Sequence, residues 1–143
     1  MSKMAPARPA IQRSLSVSLT AGPAAPSEAR RYVRAAIEAW GVAADSYTAA
    51  LLTSELVTNA IMHTAGSVGL FVTSSRDHLH VYVYDASRDW PAPLDVGVEA
   101  EEGRGLMLVA SLSAQWGWYR TSVGKAVYFT LALDKDQDQD GKD

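Results

Sequence analysis

Between Ser14 and Thr20 the chain reads SLSVSLT, with Leu15, Val17 and Leu19 alternating with serines. A period of two predicts a strand with one buried face and one wet face. Gly22, Pro23 and Pro26 break the pattern. Ser27 then precedes a stretch in which Ala29, Tyr32, Val33, Ala36, Ile37 and Trp40 recur at helical spacing, and Gly41 closes it. A second helix is expected from Asp45, a candidate N-cap, through LLTSELVTNAIMHT to Gly66. Val68, Leu70 and Val72 alternate as a strand, as do Leu79, Val81 and Val83, and the short turn around Arg76 and Asp77 makes the two a hairpin.

The stretch from Ala86 to Glu102 holds acids, Pro91 and Pro93 and little periodicity, which predicts a long loop. Gly103 to Ala114 is expected as a short helix opening on a glycine pair. Trp116 to Arg120 and Ala126 to Leu133 are the last two strands, with a turn at Ser122 to Gly124. The order β-α-α-β-β-loop-α-β-β predicts an α+β two-layer sandwich, a mostly antiparallel sheet with helices on one face.

Composition narrows the setting. A chain of 143 residues, 48% hydrophobic and 20% charged, suits one domain with a real core. That domain is expected over 14–133. The stretch before it, MSKMAPARPAIQR, has basic residues and no acid; the stretch from Asp134, DKDQDQDGKD, has five Asp against two Lys. Both read as solvated tails (1–13 and 134–143), since neither can bury enough apolar surface to offset the cost of ordering. The absence of cysteine removes disulfides, thiolate zinc sites and cysteine nucleophiles. A net charge of −3 argues against a nucleic-acid partner. No run approaches the roughly 18 apolar residues of a membrane span, and the N-terminus lacks the apolar core of a secretory signal, so the expected location is cytoplasmic.

Three groups of residues carry candidate chemistry. Glu55, Asn59 and His63 fall at i, i+4 and i+8 of the second expected helix and form one polar stripe beside Leu52, Leu56 and Ala60. A carboxylate and an amide one turn apart supply a proton acceptor and a neutral oxygen ligand for a hard cation such as Mg²⁺; the same spacing also fits a solvated helix edge. Asp85 shares strand parity with Leu79, Val81 and Val83, which places a carboxylate on the face that should be buried. It then needs a hydrogen-bond partner: a backbone amide, Ser87 acting locally, or the exocyclic amine of a ligand. A turn-initiating Asp at a strand end is the plainer alternative. Gly103-Arg104-Gly105-Leu106 opens a helix, where free N–H groups and a positive dipole end suit a phosphate and Arg104 adds charge. It is neither a Walker loop nor a dinucleotide fingerprint. His78 and His80 share a strand face with no third ligand near in sequence, and no nucleophile elbow is present. The Trp and Tyr residues at 82, 84, 116, 118, 119 and 128 are mainly strand formers, some of them candidates for a partner surface on the uncovered sheet face.

Taken together in order, these stretches resemble a known superfamily. Glu55-Leu-Val-Thr-Asn59-Ala-Ile-Met-His63 resembles the N-box of the gyrase, heat-shock chaperone, histidine kinase and MutL ATPases, the Bergerat fold. Asp85-Ala-Ser-Arg-Asp-Trp-Pro91 resembles its first glycine box, Gly103-Arg-Gly-Leu-Met-Leu-Val109 its second, and Gly124-Lys-Ala-Val-Tyr-Phe its closing strand motif. The resemblance spans about residues 14 to 133 and is strongest to the small single-domain branch: anti-sigma-factor serine kinases and the stand-alone ATP-binding regulators common in actinobacteria.

That resemblance implies ATP and Mg²⁺ as cofactors and gives each residue a role. Glu55 would be the general base or orienting carboxylate for the attacking hydroxyl, and Asn59 the Mg²⁺ ligand. Asp85 would accept from the adenine amine. Gly103, Arg104, Gly105 and Leu106 would wrap the phosphates, with the loop from Arg88 to Glu102 as a lid. His63, Ser87, Arg88 and Lys125 fall at nucleotide-binding positions. Ala126 stands where the branch usually has threonine, whose hydroxyl helps the aspartate with adenine, so the resemblance implies a three- to tenfold weaker nucleotide. The implied function is a serine/threonine protein kinase acting as an anti-sigma factor in partner switching. Its partners would be a sigma factor and a serine-bearing antagonist protein, and homodimers are common in the branch. The rival readings are a nucleotide- or partner-binding module without phosphate transfer, and a histidine-kinase-like catalytic domain acting on a separate protein.

Overall fold

The computed structural model describes residues 11–87 and 101–134. Among these residues five strands and three helices follow one another as β1 (Arg13–Thr20), α1 (Ala25–Trp40), α2 (Ser46–Ile61), β2 (Ser67–Ser74), β3 (His78–Asp85), α3 (Glu101–Leu112), β4 (Gln115–Arg120) and β5 (Lys125–Ala132). The strands form one antiparallel sheet in the order β1-β2-β3-β5-β4. The α+β sandwich expected from the pattern is the architecture found.

Period two sorts every strand onto two faces. The registers Leu19↔Val68, Leu70↔Val83 and Val81↔Phe129 put these residues on one face, where α1 and α2 pack. With Val33 and Ile37 of α1, Leu52, Leu56 and Val57 of α2, and Leu106 and Val109 of α3, they form one core. The opposite face carries the β1 serines at one edge and a field of aromatic rings over β2, β3, β5 and β4. Trp116 and Trp118 pair with Phe129 and Val127 and pack against the core, so the tryptophans belong to the covered side and the tyrosines to the uncovered one.

Local chemistry accounts for the element ends. Asp45 is the N-cap of α2, as expected: its side chain accepts from the Thr48 backbone N–H at 3.2 Å and from the Thr48 hydroxyl at 2.8 Å. These bonds, hydroxyl first, hold its carboxyl below the ordinary value. Gly41 ends α1 in the left-handed conformation, φ 64°.

Strand ends shift by about one residue, and the helix boundaries differ more. Helix α1 starts at Ala25, ahead of Ser27, because Pro26 in a first turn loses no intrahelical bond. Helix α2 stops at Ile61 instead of reaching Gly66, which leaves His63 beyond the C-cap Met62. Helix α3 begins at Glu101, so Glu101 and Glu102, expected in the lid, are its first residues. The rest of that lid, 88–100, lies outside the described residues, as do most of both expected tails (1–10 and 135–143). Among the described residues no helix is long and apolar enough to cross a membrane.

Candidate functional site

Helix α2 is the centre of the helical layer: α1 packs on one side, α3 on the other, and β3 and β5 lie beneath. Nearly all of it is enclosed, and the buried hydroxyls of Thr53 and Ser54 donate back to the carbonyls of Ala49 and Leu51. Within this apolar surround Glu55 is half-buried and Asn59 is 4% exposed. The solvated-edge reading of the stripe therefore fails for Asn59. Neither Oδ1 nor Nδ2 of Asn59 has a hydrogen-bond partner among the described residues. An unpaired buried amide costs about 1–3 kcal/mol, which makes Asn59 a candidate ligand contact. Burial also pushes the Glu55 carboxyl above its ordinary value, towards the range that suits a base near neutral pH. His63 does not continue the stripe, since the helix has ended before it.

Helix α3 meets the stripe through Gly105. A Cβ added there would stand 2.7 Å from Glu55 Oε1, so the missing side chain is what lets α3 lie against the carboxylate. The four residues expected to open a helix and wrap phosphates are helical, and they lie in the first two turns of α3. A helix leaves the N–H groups of its N-cap and first three residues without intrahelical partners, so that of Gly103 remains a donor, while Arg104, Gly105 and Leu106 are inside the hydrogen-bonded ladder. Leu106, 1% exposed, is a core residue and not a phosphate contact.

Asp85 ends β3 on the covered face, 4% exposed, as its parity predicts. Two of its expected partners coincide in one atom: the Ser87 backbone N–H donates to Oδ1 at 2.8 Å. The Ser87 contribution is thus its amide. The partner the parity argument did not name is Lys125, whose Nζ donates to the same Oδ1 at 3.0 Å, with both side chains 1% exposed. Asp85 and Lys125 stand directly opposite each other across β3 and β5. The signal was present in sequence, since Lys125 shares parity with Val127, Phe129 and Leu131, the buried set of its own strand. Oδ2 of Asp85 has no partner among the described residues.

The turn that brings Lys125 to Asp85 leaves no space for a side chain at Gly124. A Cβ there would collide with the Asp85 carbonyl oxygen and stand 2.6 Å from the Ala86 Cα. The closing motif must therefore begin with glycine for steric reasons. The implied cost of Ala126 is corrected by the register. Ala126 pairs with Tyr84, so its side chain lies on the uncovered face and a hydroxyl there could not reach Asp85. Arg88 lies outside the described residues.

These groups fit a purine nucleotide held with a hard cation. An unpaired buried acceptor (Asp85 Oδ2) suits an exocyclic amine. An unpaired buried amide (Asn59) offers a carbonyl oxygen to a cation and an N–H₂ to a phosphate oxygen. No group of three or more His, Asp or Glu able to hold a metal exists among the described residues.

The antiparallel sheet with one helical layer is the architecture of an ATPase-type α+β domain. The chain belongs to the histidine kinase-like ATPase domain family, which matches residues 19–131. No curated protein matches it.

Proposed function

We propose that the chain is an ATP- and Mg²⁺-dependent serine/threonine protein kinase of the small single-domain kind, a cytoplasmic anti-sigma factor that works by partner switching. The observation that carries the nucleotide reading is the pair of buried, unpaired groups, Asp85 Oδ2 and the Asn59 amide, on the enclosed side of the sheet. Asp85 would accept from the adenine amine, and Asn59 would hold the cation through its carbonyl oxygen. Mg²⁺, when bound, neutralises the charge that builds on the phosphates. Glu55, half-buried with its carboxyl raised, would take the proton of a serine hydroxyl of an antagonist protein as that oxygen bonds the γ-phosphorus and ADP leaves. The free N–H groups at the start of α3 cradle phosphate. The unmodified antagonist displaces the sigma factor, and its phosphorylated form lets go. The chain acts as a homodimer in this reading.

Calorimetric titration with ATP, with and without Mg²⁺, tests the nucleotide site. Binding that needs Mg²⁺ and falls at least tenfold in Asn59→Ala and Asp85→Asn supports it. No binding at millimolar ATP overturns it. Incubation with radiolabelled ATP and antagonist then tests the chemistry. An acid-stable phosphoserine lost in Glu55→Gln is the expected product, and an acid-labile phosphoramidate contradicts the serine assignment.

A further inference from the structure

We propose that Lys125 is the second half of a base-reading pair. Its ammonium donates to N1 of adenine while Asp85 Oδ2 accepts from the N6 amine, and together the two select adenine over hypoxanthine and guanine. This inference rests on the nucleotide reading above.

A buried lysine requires explanation. An ammonium on a long flexible stem ordinarily reaches for water, whereas Lys125 is 1% exposed and turned into the covered face beside Asp85. An apolar pair of similar volume would serve the sheet as well or better, because two buried charges repay their desolvation poorly. The pair therefore does something an apolar pair could not. Its hydrogen bonding is also incomplete on both sides. Asp85 Oδ1 already receives both Lys125 Nζ and the Ser87 N–H, while Oδ2 receives nothing. Nζ carries three N–H donors. Asp85 Oδ1 takes one, and the described residues supply no other acceptor.

The register sets these unused groups side by side. Asp85 and Lys125 are directly opposed on neighbouring strands and project onto the same face. The edge they present is one acceptor next to donors. Adenine offers the complement, a donor at N6 next to an acceptor at N1. Hypoxanthine and guanine offer the reverse, an oxygen at position 6 and an N–H at N1. Either base would set an oxygen against the carboxylate and an N–H against the ammonium. A site whose buried polar groups are left facing like groups rejects a ligand far more strongly than a mere change of size does. Lys125 also keeps Oδ1 occupied, which leaves Oδ2 as the single acceptor and fixes which way the base must lie.

The experiment compares three triphosphates on the wild-type protein by calorimetry: ATP, 1-deaza-ATP and ITP. In 1-deaza-ATP a C–H replaces N1 and the N6 amine is kept. The expected result is binding of 1-deaza-ATP roughly tenfold to a hundredfold weaker than ATP, the range for losing a hydrogen bond to a charged donor, with ITP weaker still. Lys125→Met, checked for folding by circular dichroism, should bind ATP and 1-deaza-ATP within about twofold of each other, which a merely structural role for Lys125 would not produce. Equal binding of ATP and 1-deaza-ATP by the wild type overturns the inference while leaving the ATP site intact. Absence of ATP binding removes both the inference and the reading beneath it. The wild-type comparison decides the matter even if Lys125→Met does not fold.

Discussion

The two faces of the sheet are built from the same strands and solve opposite problems. On β3, Val81, Val83 and Asp85 point to the helices while Tyr82 and Tyr84 point away. The covered face is apolar along most of its length and buries charge at one end, where Asp85 and Lys125 neutralise each other out of reach of water. The uncovered face instead uses aromatic rings with polar tips. Phe71, Tyr82 and Tyr128 lie 5.8–5.9 Å apart in tilted pairs, and Tyr82 stacks on Tyr84 at 6.3 Å. The Tyr84 and Tyr119 hydroxyls, 3.4 Å apart, share a hydrogen bond, and burial followed by that bond pushes the Tyr119 phenol well above its ordinary value. The tyrosine hydroxyls at this end of the uncovered face thus pair with one another, while the Thr73 hydroxyl on the same face has no partner among the described residues. On the covered face the polar end is left partly unsatisfied, at Asp85 Oδ2 and Asn59. The difference teaches where to look for a ligand: unsatisfied polarity is costly in a low-dielectric interior, so its persistence there is informative.

Breaking the covered-face pair should have the largest effect. Lys125→Ala strands a buried carboxylate and should cost about 3–5 kcal/mol in urea unfolding. The double variant Asp85→Leu/Lys125→Met should recover most of that stability and still fail to bind ATP. A double variant as unstable as the single one would show that the pair serves the fold. Next comes Gly124→Ala, which forces the β4–β5 turn off the end of β3 and should cost about 2–3 kcal/mol. Gly22→Ala, with nothing within 4 Å of the new Cβ, is its control and should stay within about 0.5 kcal/mol.

Glu55 provides a smaller effect with a definite sign. Its folded carboxyl is raised, so the folded state holds the proton more tightly than the unfolded chain does. Its stabilising contribution is complete below the unfolded value and declines as pH rises through the folded one. Glu55→Gln should therefore flatten the fall in stability that sets in as pH rises above the ordinary glutamate value. It should gain no more than about 0.5 kcal/mol at neutrality, since a half-buried carboxylate still reaches water. The midpoint of thermal unfolding followed against pH checks this, and a steeper fall in the variant would contradict it.

The smallest expected effect is the sharpest test of the two-face division. Ala126→Thr places a hydroxyl among tyrosines, so ATP affinity should stay within about twofold. A tenfold gain would mean that Ala126 faces the nucleotide after all, against the register with Tyr84.

Much of this protein was legible in its sequence. Alternation of one residue in two assigned Leu15, Val17 and Leu19, then Val68 to Val72 and Leu79 to Asp85, to a single face, because strand geometry leaves a side chain only two directions. Asp45 announced the start of α2 because a carboxylate before a helix satisfies N–H groups that have no other partner. Parity alone predicted that Asp85 would be buried and in need of a donor. Tertiary structure decided which donor. Lys125 lies 40 residues further along the chain and meets Asp85 only through the register of β3 with β5, set by strand pairing across the whole sheet. The same is true of Gly105 against Glu55, a contact fixed by how α3 lies on α2, and of Ala126, which one step of register turned away from the site. Local pattern determines the direction a side chain leaves the backbone. Which group it meets depends on contacts between distant segments, and no local periodicity encodes them.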